Sequence, residues 1–179
     1  MAHSPSRRGG QPIRQLQTVA DLLETPALAG VYAHVLLEGP VTVGDVVEQR
    51  GVPQGTAYEY VQKLEDAGLV ERTREERPHE FDAEPVSLTL SADGTTRTIT
   101  PAFVAAVARR DVDDDLELFV DRHGLDVLAV ALEYASEYVE GTVNHRIAAR
   151  EMDLSPLETE IVLQALEPVV EAYDADADE

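Results

Sequence analysis

Between residues 43 and 68 the apolar residues recur with the period of an amphipathic helix, and the pattern is interrupted at Gly51, which divides it into two helices. Thr42 and Asp45, three residues apart, predict a capping-box start for a first helix. Gly51 predicts the left-handed turn that ends it, and Pro53 suits the first turn of a second helix. Two helices joined in this way match the helix-turn-helix pattern. Their apolar faces are formed by Val43, Val46 and Val47 and by Ala57, Tyr60, Val61 and Leu64.

A polar helix face and a basic hairpin accompany this apolar pattern. Gly68 predicts the end of the second helix, an apolar strand begins at Leu69, and Pro78 marks the turn of a hairpin, the wing. Because strand side chains alternate between faces, Arg72 and Arg74 are expected to share one face. The polar positions of the second helix are Gln54, Thr56, Tyr58, Glu59, Gln62 and Lys63, and the basic positions of the wing are Arg72, Arg74, Arg77 and His79.

The rest of the chain predicts helices on both sides of one pair of strands. Residues 15–24 and 26–38 have helical patterns, and 86–90 and 95–100 are predicted strands that extend the wing or form a separate hairpin. From Pro101 onward the pattern is helical. A first helix is predicted to start at Thr100-Pro101, and the acidic run 111–115 precedes a second one. The next helix carries an apolar stripe formed by Leu125, Leu128, Leu132, Ala135 and Val139, and a further helix includes residues 143–150. A full capping box at Ser155 and Glu158 predicts the start of a last helix that ends at Tyr173, and Pro168 is expected to kink or break it.

The predicted fold class is therefore mainly α with a small β wing (α+β), in which an N-terminal winged helix-turn-helix precedes a C-terminal helical dimerisation or effector region. The predicted divisions are a flexible arm at 1–12, the winged helix-turn-helix at 13–85, a β-hairpin or connector at 86–100, the helical region at 101–173 and an acidic tail at 174–179.

The segment 15–85 resembles the DNA-binding domain of winged-helix transcription regulators of the MarR, ArsR and TrmB kinds, and most of all their haloarchaeal members. The resemblance covers a little under half of the chain, and it is fairly specific because several spaced features agree. The residues that carry it are Thr56-Ala57, Tyr60-Val61, Leu64-Glu65 and Ala67-Gly68-Leu69-Val70.

The resemblance implies a sequence-specific DNA-binding transcription regulator, with helix 53–68 in the major groove and the wing 70–82 on phosphates. Glu59 stands where such helices often carry a basic residue; a glutamate accepts a hydrogen bond from cytosine but repels phosphate. The alternative is a winged helix that mediates protein–protein contacts without binding DNA. The candidate DNA-binding residues are Gln54, Thr56, Tyr58, Glu59, Gln62, Lys63, Arg72, Arg74 and Arg77.

The chain is strongly acidic. Its 179 residues carry a net charge of −21, with 35 acidic residues, 14 basic residues and a single lysine, Lys63. Acidity with arginine in place of lysine is typical of proteins that work in molar salt, where charges act over only about 3 Å. The alternative interpretation is a DNA mimic or a protein that avoids nucleic acids. Residues 101–179 hold 20 acidic and five basic residues, residues 43–82 hold ten and five, and residues 1–42 hold three of each. The predicted DNA-binding half is therefore the less acidic one.

The C-terminal region 101–173 is predicted to form a homodimer through its apolar stripe, because two-fold dimers suit palindromic DNA sites. The alternative is that the stripe packs on the winged helix within one monomer. Two polar clusters, Arg122-His123 and Asn144-His145-Arg146, could hold a small anionic effector. The alternative for them is helix capping and surface pairing.

Several kinds of chemistry find no support in the sequence. There is no cysteine, no apolar run of about 18 residues, no histidine spacing typical of a metal site, and no phosphate-binding glycine pattern or nucleophile elbow. These absences predict a cytoplasmic protein that is not an enzyme and has no cofactor or metal. The arm carries Arg7 and Arg8, followed by Arg14, which either reach DNA or belong to a disordered terminus.

Overall fold

The computed structural model describes residues 11–174, so the arm through residue 10 and the end of the acidic tail lie outside the described residues. The described chain is mostly helical with small antiparallel sheets, which confirms the predicted fold class. Its helices are α1 (Pro12–Glu24), α2 (Pro26–Glu38), α3 (Val43–Arg50), α4 (Gln54–Asp66), α5 (Pro101–Arg109), α6 (Asp114–His123), α7 (Leu125–Val139), α8 (His145–Met152) and α9 (Pro156–Asp174). Its strands are β1 (Val41–Thr42), β2 (Val70–Arg74), β3 (Glu80–Ala83), β4 (Leu88–Ala92) and β5 (Thr95–Ile99).

Helices α2 to α4 and a sheet of order β1-β3-β2 form the winged helix. The predicted capping box is present, since the Asp45 N–H donates to Thr42 Oγ1 at 3.1 Å and the Thr42 N–H donates to the Asp45 carboxylate at 2.8 Å. Gly51 has a φ of 65°, so α3 ends in the predicted left-handed turn. Pro53 is the N-cap of α4 rather than a residue of its first turn, because its ψ of 145° is still extended.

The wing is the hairpin of β2 and β3, with Pro78 in its turn. A β-bulge shifts the register, so that Arg72 lies opposite Phe81 and Arg74 lies opposite Glu80. Adjacent residues of β3 point to opposite faces, and the bulge therefore separates the two arginines. The prediction that Arg72 and Arg74 share one face is wrong, because a strict two-residue period takes no account of a bulge.

Strands β4 and β5 form their own two-stranded sheet, so the second hairpin does not extend the wing. The segment before β4 is fixed to the winged helix by Tyr32, a fully buried residue of α2. The Tyr32 hydroxyl donates to the Glu84 carbonyl at 2.7 Å and accepts from the Val86 N–H at 2.8 Å. Burial raises the pKa of Tyr32 to about 12. The strand begins at Leu88 rather than at Val86 as predicted, since the Val86 N–H is already bound by Tyr32.

The C-terminal helices share one continuous core with the winged helix. Helix α5 packs on α2, and α7 packs on α9. Leu128 and Ala135, from the apolar stripe of α7, are fully buried by this packing, whereas Val139 is 41% exposed. Most of the stripe on which the dimer prediction rested is thus covered within one chain.

Two details of α9 differ from expectation. The helix continues through Pro168 without a break, because buried residues before and after the proline, Leu166 and Val169, hold both parts on the same core. Its capping box is half formed: Ser155 Oγ accepts from the Glu158 N–H at 3.2 Å. The Glu158 carboxylate meets His123 instead of the backbone of the cap.

Candidate nucleic-acid interface

The outer face of α4 is formed by residues that recur every four positions. Gln54, Tyr58 and Gln62 are all exposed, and Tyr58 keeps 54% of its surface open to solvent. Glu59 is exposed beside them, whereas Thr56 is only half-exposed. The opposite face is held in the core by Ala57, Val61 and Leu64. Core packing on one side therefore presents the polar face of α4 outward.

A cleft of about 740 Å³ lies between the first half of α4, the start of α3 and the tip of the wing. It brings together three of the candidate residues, Gln54 and Tyr58 from α4 and Arg77 from the wing. His79 also lines the cleft, and its Nδ1 is buried without a hydrogen-bond partner among the described residues. The complete lining is Thr42, Val43, Gly44, Gln54, Tyr58, Arg77, Pro78, His79 and Phe81.

The charge of this cleft differs from that of the chain as a whole. Its lining includes one arginine and one histidine and no acidic residue, although acidic residues outnumber basic ones 35 to 14 in the sequence. A second cleft, between the last turn of α4 and the first strand of the wing, is lined by five acidic residues and one arginine: Glu65, Asp66, Glu71, Glu75, Glu84 and Arg72. The two clefts therefore differ in charge.

The three wing arginines have different surroundings. Arg72 lies over the Phe81 ring, 5.7 Å from its centroid, and its guanidinium is 3.4 Å from the Glu65 carboxylate. Arg74 is 3.7 Å from the Glu80 carboxylate. Arg77 is exposed and has no ion-pair partner within residues 11–174. Of the three, Arg77 is thus the arginine that the structure leaves available beside α4.

Lys63 lies toward the far end of α4 from the cleft. Its ammonium is 2.6 Å from the Asp21 carboxylate of α1, and both side chains are about half-exposed. The pair links α4 to α1, so Lys63 is separated from Gln54 and Arg77 and already has an anionic partner. Sequence reasoning could not identify this contact, because Asp21 and Lys63 are 42 positions apart.

Six residues that line the cleft were not among the candidates, and Gly44 and His79 are the two considered next. Gly44 is the second residue of α3, two positions after its cap Thr42. Because it has no side chain, its backbone lines the cleft directly. His79 was recognised as part of the wing, but nothing in the sequence showed that it faces α4 rather than solvent. A bulged hairpin sets that orientation, and the period of the strand does not reveal it.

The polar clusters considered for an effector have internal partners. His123 Nε2 is 2.8 Å from Glu158, and the Arg122 guanidinium is 3.6 Å from the same carboxylate. Asn144 is the N-cap of α8, where its side chain accepts from the backbone N–H groups of Arg146 and Ile147. Capping and surface pairing thus account for Arg122, His123 and Asn144.

The described residues were also considered for a metal site and for a membrane-spanning helix, and they offer neither. No group of three or more histidine, aspartate or glutamate side chains within residues 11–174 could hold a metal ion. No helix in that range is both long and apolar enough to span a membrane.

Comparison with known proteins adds two family matches. Residues 110–175 match a family of unknown function (DUF7437), which covers α6 to α9. Residues 26–87 match the family described as sugar-specific transcriptional regulator TrmB, which covers α2 through the end of the wing. No curated protein and no solved structure matches the chain. The chain therefore carries, at residues 26–87, a winged-helix domain similar to the TrmB transcriptional regulators, a family whose function implies DNA binding.

Proposed function

We propose that this protein is a sequence-specific DNA-binding transcription regulator that works at high intracellular salt. Helix α4 enters the major groove, and the tip of the wing contacts the adjacent phosphates. The TrmB match over residues 26–87 supports regulation through DNA. The role of α4 is supported by its exposed Gln54, Tyr58 and Gln62, which carry donors and acceptors suited to base edges.

The observation that carries this proposal is the acid-free cleft between α4 and the wing. A surface that approaches a polyanion must avoid carboxylates, and this lining holds Arg77 and His79 and no acidic residue. The cleft around Arg72, at the last turn of α4, is by contrast lined by five acidic residues. The difference predicts that the first half of α4 and the tip of the wing face DNA.

Within this interface the candidate residues have separate roles. Gln54, Gln62 and Tyr58 contact bases, and Glu59 accepts from a cytosine amino group. Thr56 contacts the backbone near the start of α4, Lys63 contacts it near the end once it leaves Asp21, and Arg77 is the principal phosphate contact. Arg72 and Arg74 reach phosphate only by leaving their present partners Glu65 and Glu80, so they contribute less.

High salt weakens the contribution of phosphate contacts. Release of counterions drives little binding when bulk salt is already molar, so base contacts must supply a larger share of the affinity. An acidic surface that includes a single lysine, Lys63, suits solubility in such a medium. The resemblance to haloarchaeal regulators is consistent with this assignment.

The regulator is proposed to act as a homodimer through the region 101–173, with the winged helix at 13–85 joined to it by the connector 86–100. Most of the α7 stripe is covered by α9, so the dimer contact shifts to apolar side chains that remain exposed on α6 and α9. These are Leu118, Leu157 and Ile161, which are 47%, 67% and 38% exposed. They lie together around one shallow cleft.

Selection from random double-stranded DNA in molar KCl tests the proposal directly. The wild type is expected to enrich one sequence pattern, and the double variant Gln54→Ala, Arg77→Ala is expected to enrich none. Arg146→Ala is the matched control, because Arg146 is an exposed arginine on α8, away from the interface. Enrichment by the double variant equal to that of the wild type would contradict the assignment of this face.

A protein–protein interaction module is the second candidate function. The exposed Glu59 on the outer face of α4 favours it, since a carboxylate there repels phosphate. The two functions predict different results in the same selection. A folded wild type that enriches no sequence in any salt supports the interaction module.

A further inference from the structure

A small cleft lies where the winged helix meets the C-terminal helices. It has a volume of about 220 Å³ and is bounded by α2, the last residue of α3, α5 and the second half of α9. Its lining combines basic and apolar side chains. The members used below are His34, Leu37, Glu38, Arg50, Arg109 and Val112.

Three side chains that carry nitrogen donors, those of His34, Arg50 and Arg109, meet at this cleft and have few acceptors within reach. His34 Nε2 and Arg109 Nε are both buried, and neither has a hydrogen-bond partner among the described residues. Arg50 has no ion pair in the described part of the chain, and the terminal nitrogen of Arg109 is 3.8 Å from Asp113. Buried donors are normally satisfied, so two such atoms in one cleft point to a missing acceptor.

The packing of α2 places Arg50 at this cleft. Its guanidinium lies directly against Gly30, and a Cβ at Gly30 would come 2.9 Å from Arg50 Cζ. Only a residue without a side chain allows that approach. Arg50 is also the end of α3, the first helix of the helix-turn-helix, so the cleft adjoins the DNA-binding unit.

The surroundings of His34 favour the neutral form of its imidazole. Burial lowers its pKa, and the charge of Arg50 lowers it further, while Glu38 and Asp45 act in the opposite direction. A neutral imidazole with its proton on Nε2 still donates one hydrogen bond into the cleft. The site therefore offers two cationic donors and one neutral donor.

The remaining lining limits the ligand. Leu37 is 40% exposed and Val112 is 69% exposed at the rim, and both present apolar surface. Glu38 adds one negative charge, which disfavours a ligand of high charge. The volume of about 220 Å³ is below that of pockets for drug-sized molecules. A short aliphatic chain with a single carboxylate fits this combination.

We propose that this cleft binds a small aliphatic monocarboxylate, whose oxygens accept from Arg50, Arg109 and His34 while its chain lies against Leu37 and Val112. Guanidinium groups suit a carboxylate because their N–H donors match its two oxygens. The inference concerns the isolated protein and does not depend on DNA binding.

Butyrate is the probe, and its neutral isostere butyramide is the control ligand. Ligand binding is followed by the NMR resonance of His34 Nε2 and by the unfolding temperature, at constant ionic strength in KCl. Butyrate is expected to shift the resonance saturably and to raise the unfolding temperature, and butyramide is expected to do neither. Equal responses to the two ligands, or no response to butyrate, would overturn the proposal.

Variants then locate the site. Arg50→Gln and Arg109→Gln are each expected to weaken butyrate binding at least tenfold, whereas Arg146→Gln, on exposed α8, is expected to leave it unchanged. Arg50 is half-exposed, so its variant keeps the test valid if Arg109→Gln fails to fold. Butyrate affinity in Arg50→Gln equal to that of the wild type would place the ligand elsewhere and refute the assignment.

Discussion

At the scale of single residues, the arginines of the wing differ by their partners rather than by their spacing. Arg72 is covered by Phe81 and Glu65, and Arg74 faces Glu80, whereas Arg77 is exposed beside α4 without a carboxylate partner in the described chain. Exposed ion pairs are weak, so Arg74 can exchange its partner for a phosphate at a modest cost. Arg77 can bind a phosphate without first leaving a carboxylate partner.

Arg77→Ala should weaken binding to all DNA sequences alike and lower the salt dependence of the binding constant by about one unit. Arg74→Ala should have a smaller effect, because part of its charge is already compensated by Glu80. Fluorescence anisotropy across a KCl series measures both. An effect of Arg74→Ala larger than that of Arg77→Ala would contradict the assignment of Arg77 as the principal phosphate contact.

The α4 residues should behave differently from the wing. Gln54→Ala and Gln62→Ala are each expected to cost about 1–3 kcal/mol at particular base pairs and little at others. Glu59→Gln removes a repulsive charge, and is expected to strengthen binding to non-specific DNA. Competition assays with single-base variants of the selected site separate these effects. A uniform loss over all sequences for Gln54→Ala would argue against base recognition by this residue.

The capping box gives a test of stability. Thr42→Ala removes the side-chain acceptor at the start of α3 and should lower the free energy of unfolding by about 0.5–2 kcal/mol. Hydrogen bonds from Thr42 hold the pKa of Asp45 below its ordinary value of 3.8. The contribution of the Asp45 carboxylate is therefore present above that value and is lost as pH falls through the lower folded pKa. Urea unfolding measures the free energy of unfolding between pH 7 and pH 3. As the pH falls from about 4 to 3, this free energy should decrease less in Asp45→Asn than in the wild type.

At the scale of elements, caps and periodicity predicted most of the helices. The capping box of α3, the left-handed Gly51 and the apolar face of α4 are local signals, and each occurs where it was expected. The bulge between Arg72 and Arg74 was not predictable, because it arises from pairing with a strand that follows later in the chain. The cleft with His79 depends on the same pairing. Local sequence thus predicts elements better than it predicts which faces meet.

The connector between the winged helix and the second sheet depends on one hydroxyl. Tyr32→Phe would leave the Glu84 carbonyl and the buried Val86 N–H without their partner. The expected loss is about 1–3 kcal/mol in the free energy of unfolding. Tyr58→Phe is the matched control, since its hydroxyl lies on an exposed ring, and it should not change stability. Denaturant unfolding measures both variants, and an equal effect would show that Tyr32 is not the anchor.

At the scale of the whole molecule, charge is distributed unevenly, both along the sequence and between the clefts of the winged helix. The region 101–179 carries 20 acidic residues against five basic ones, and it lies C-terminal to the winged helix. Within the winged helix, the cleft between the first half of α4 and the tip of the wing has no acidic lining residue, whereas the cleft at the last turn of α4 has five. Sequence counts revealed the first asymmetry, but only the fold revealed the second.

The dimer belongs to the same scale. Leu118→Glu and Leu157→Glu place charges on the exposed apolar patch of α6 and α9, and are expected to convert a dimer into monomers without unfolding the chain. Sedimentation in molar KCl measures the mass, and Val139→Glu, on the exposed end of α7, is the control. A wild type that sediments as a monomer would refute the dimer, and dimers that persist in both patch variants would place the contact elsewhere.

The central claim is that α4 and the tip of the wing recognise specific DNA sites. The most direct test is genome-wide crosslinking and immunoprecipitation of the tagged protein in its native salt, with the Gln54→Ala, Arg77→Ala variant alongside. The proposed function predicts discrete promoter peaks that share a sequence pattern and disappear in the variant. A flat profile for a folded, abundant wild type, or peaks that persist in the variant, would contradict it.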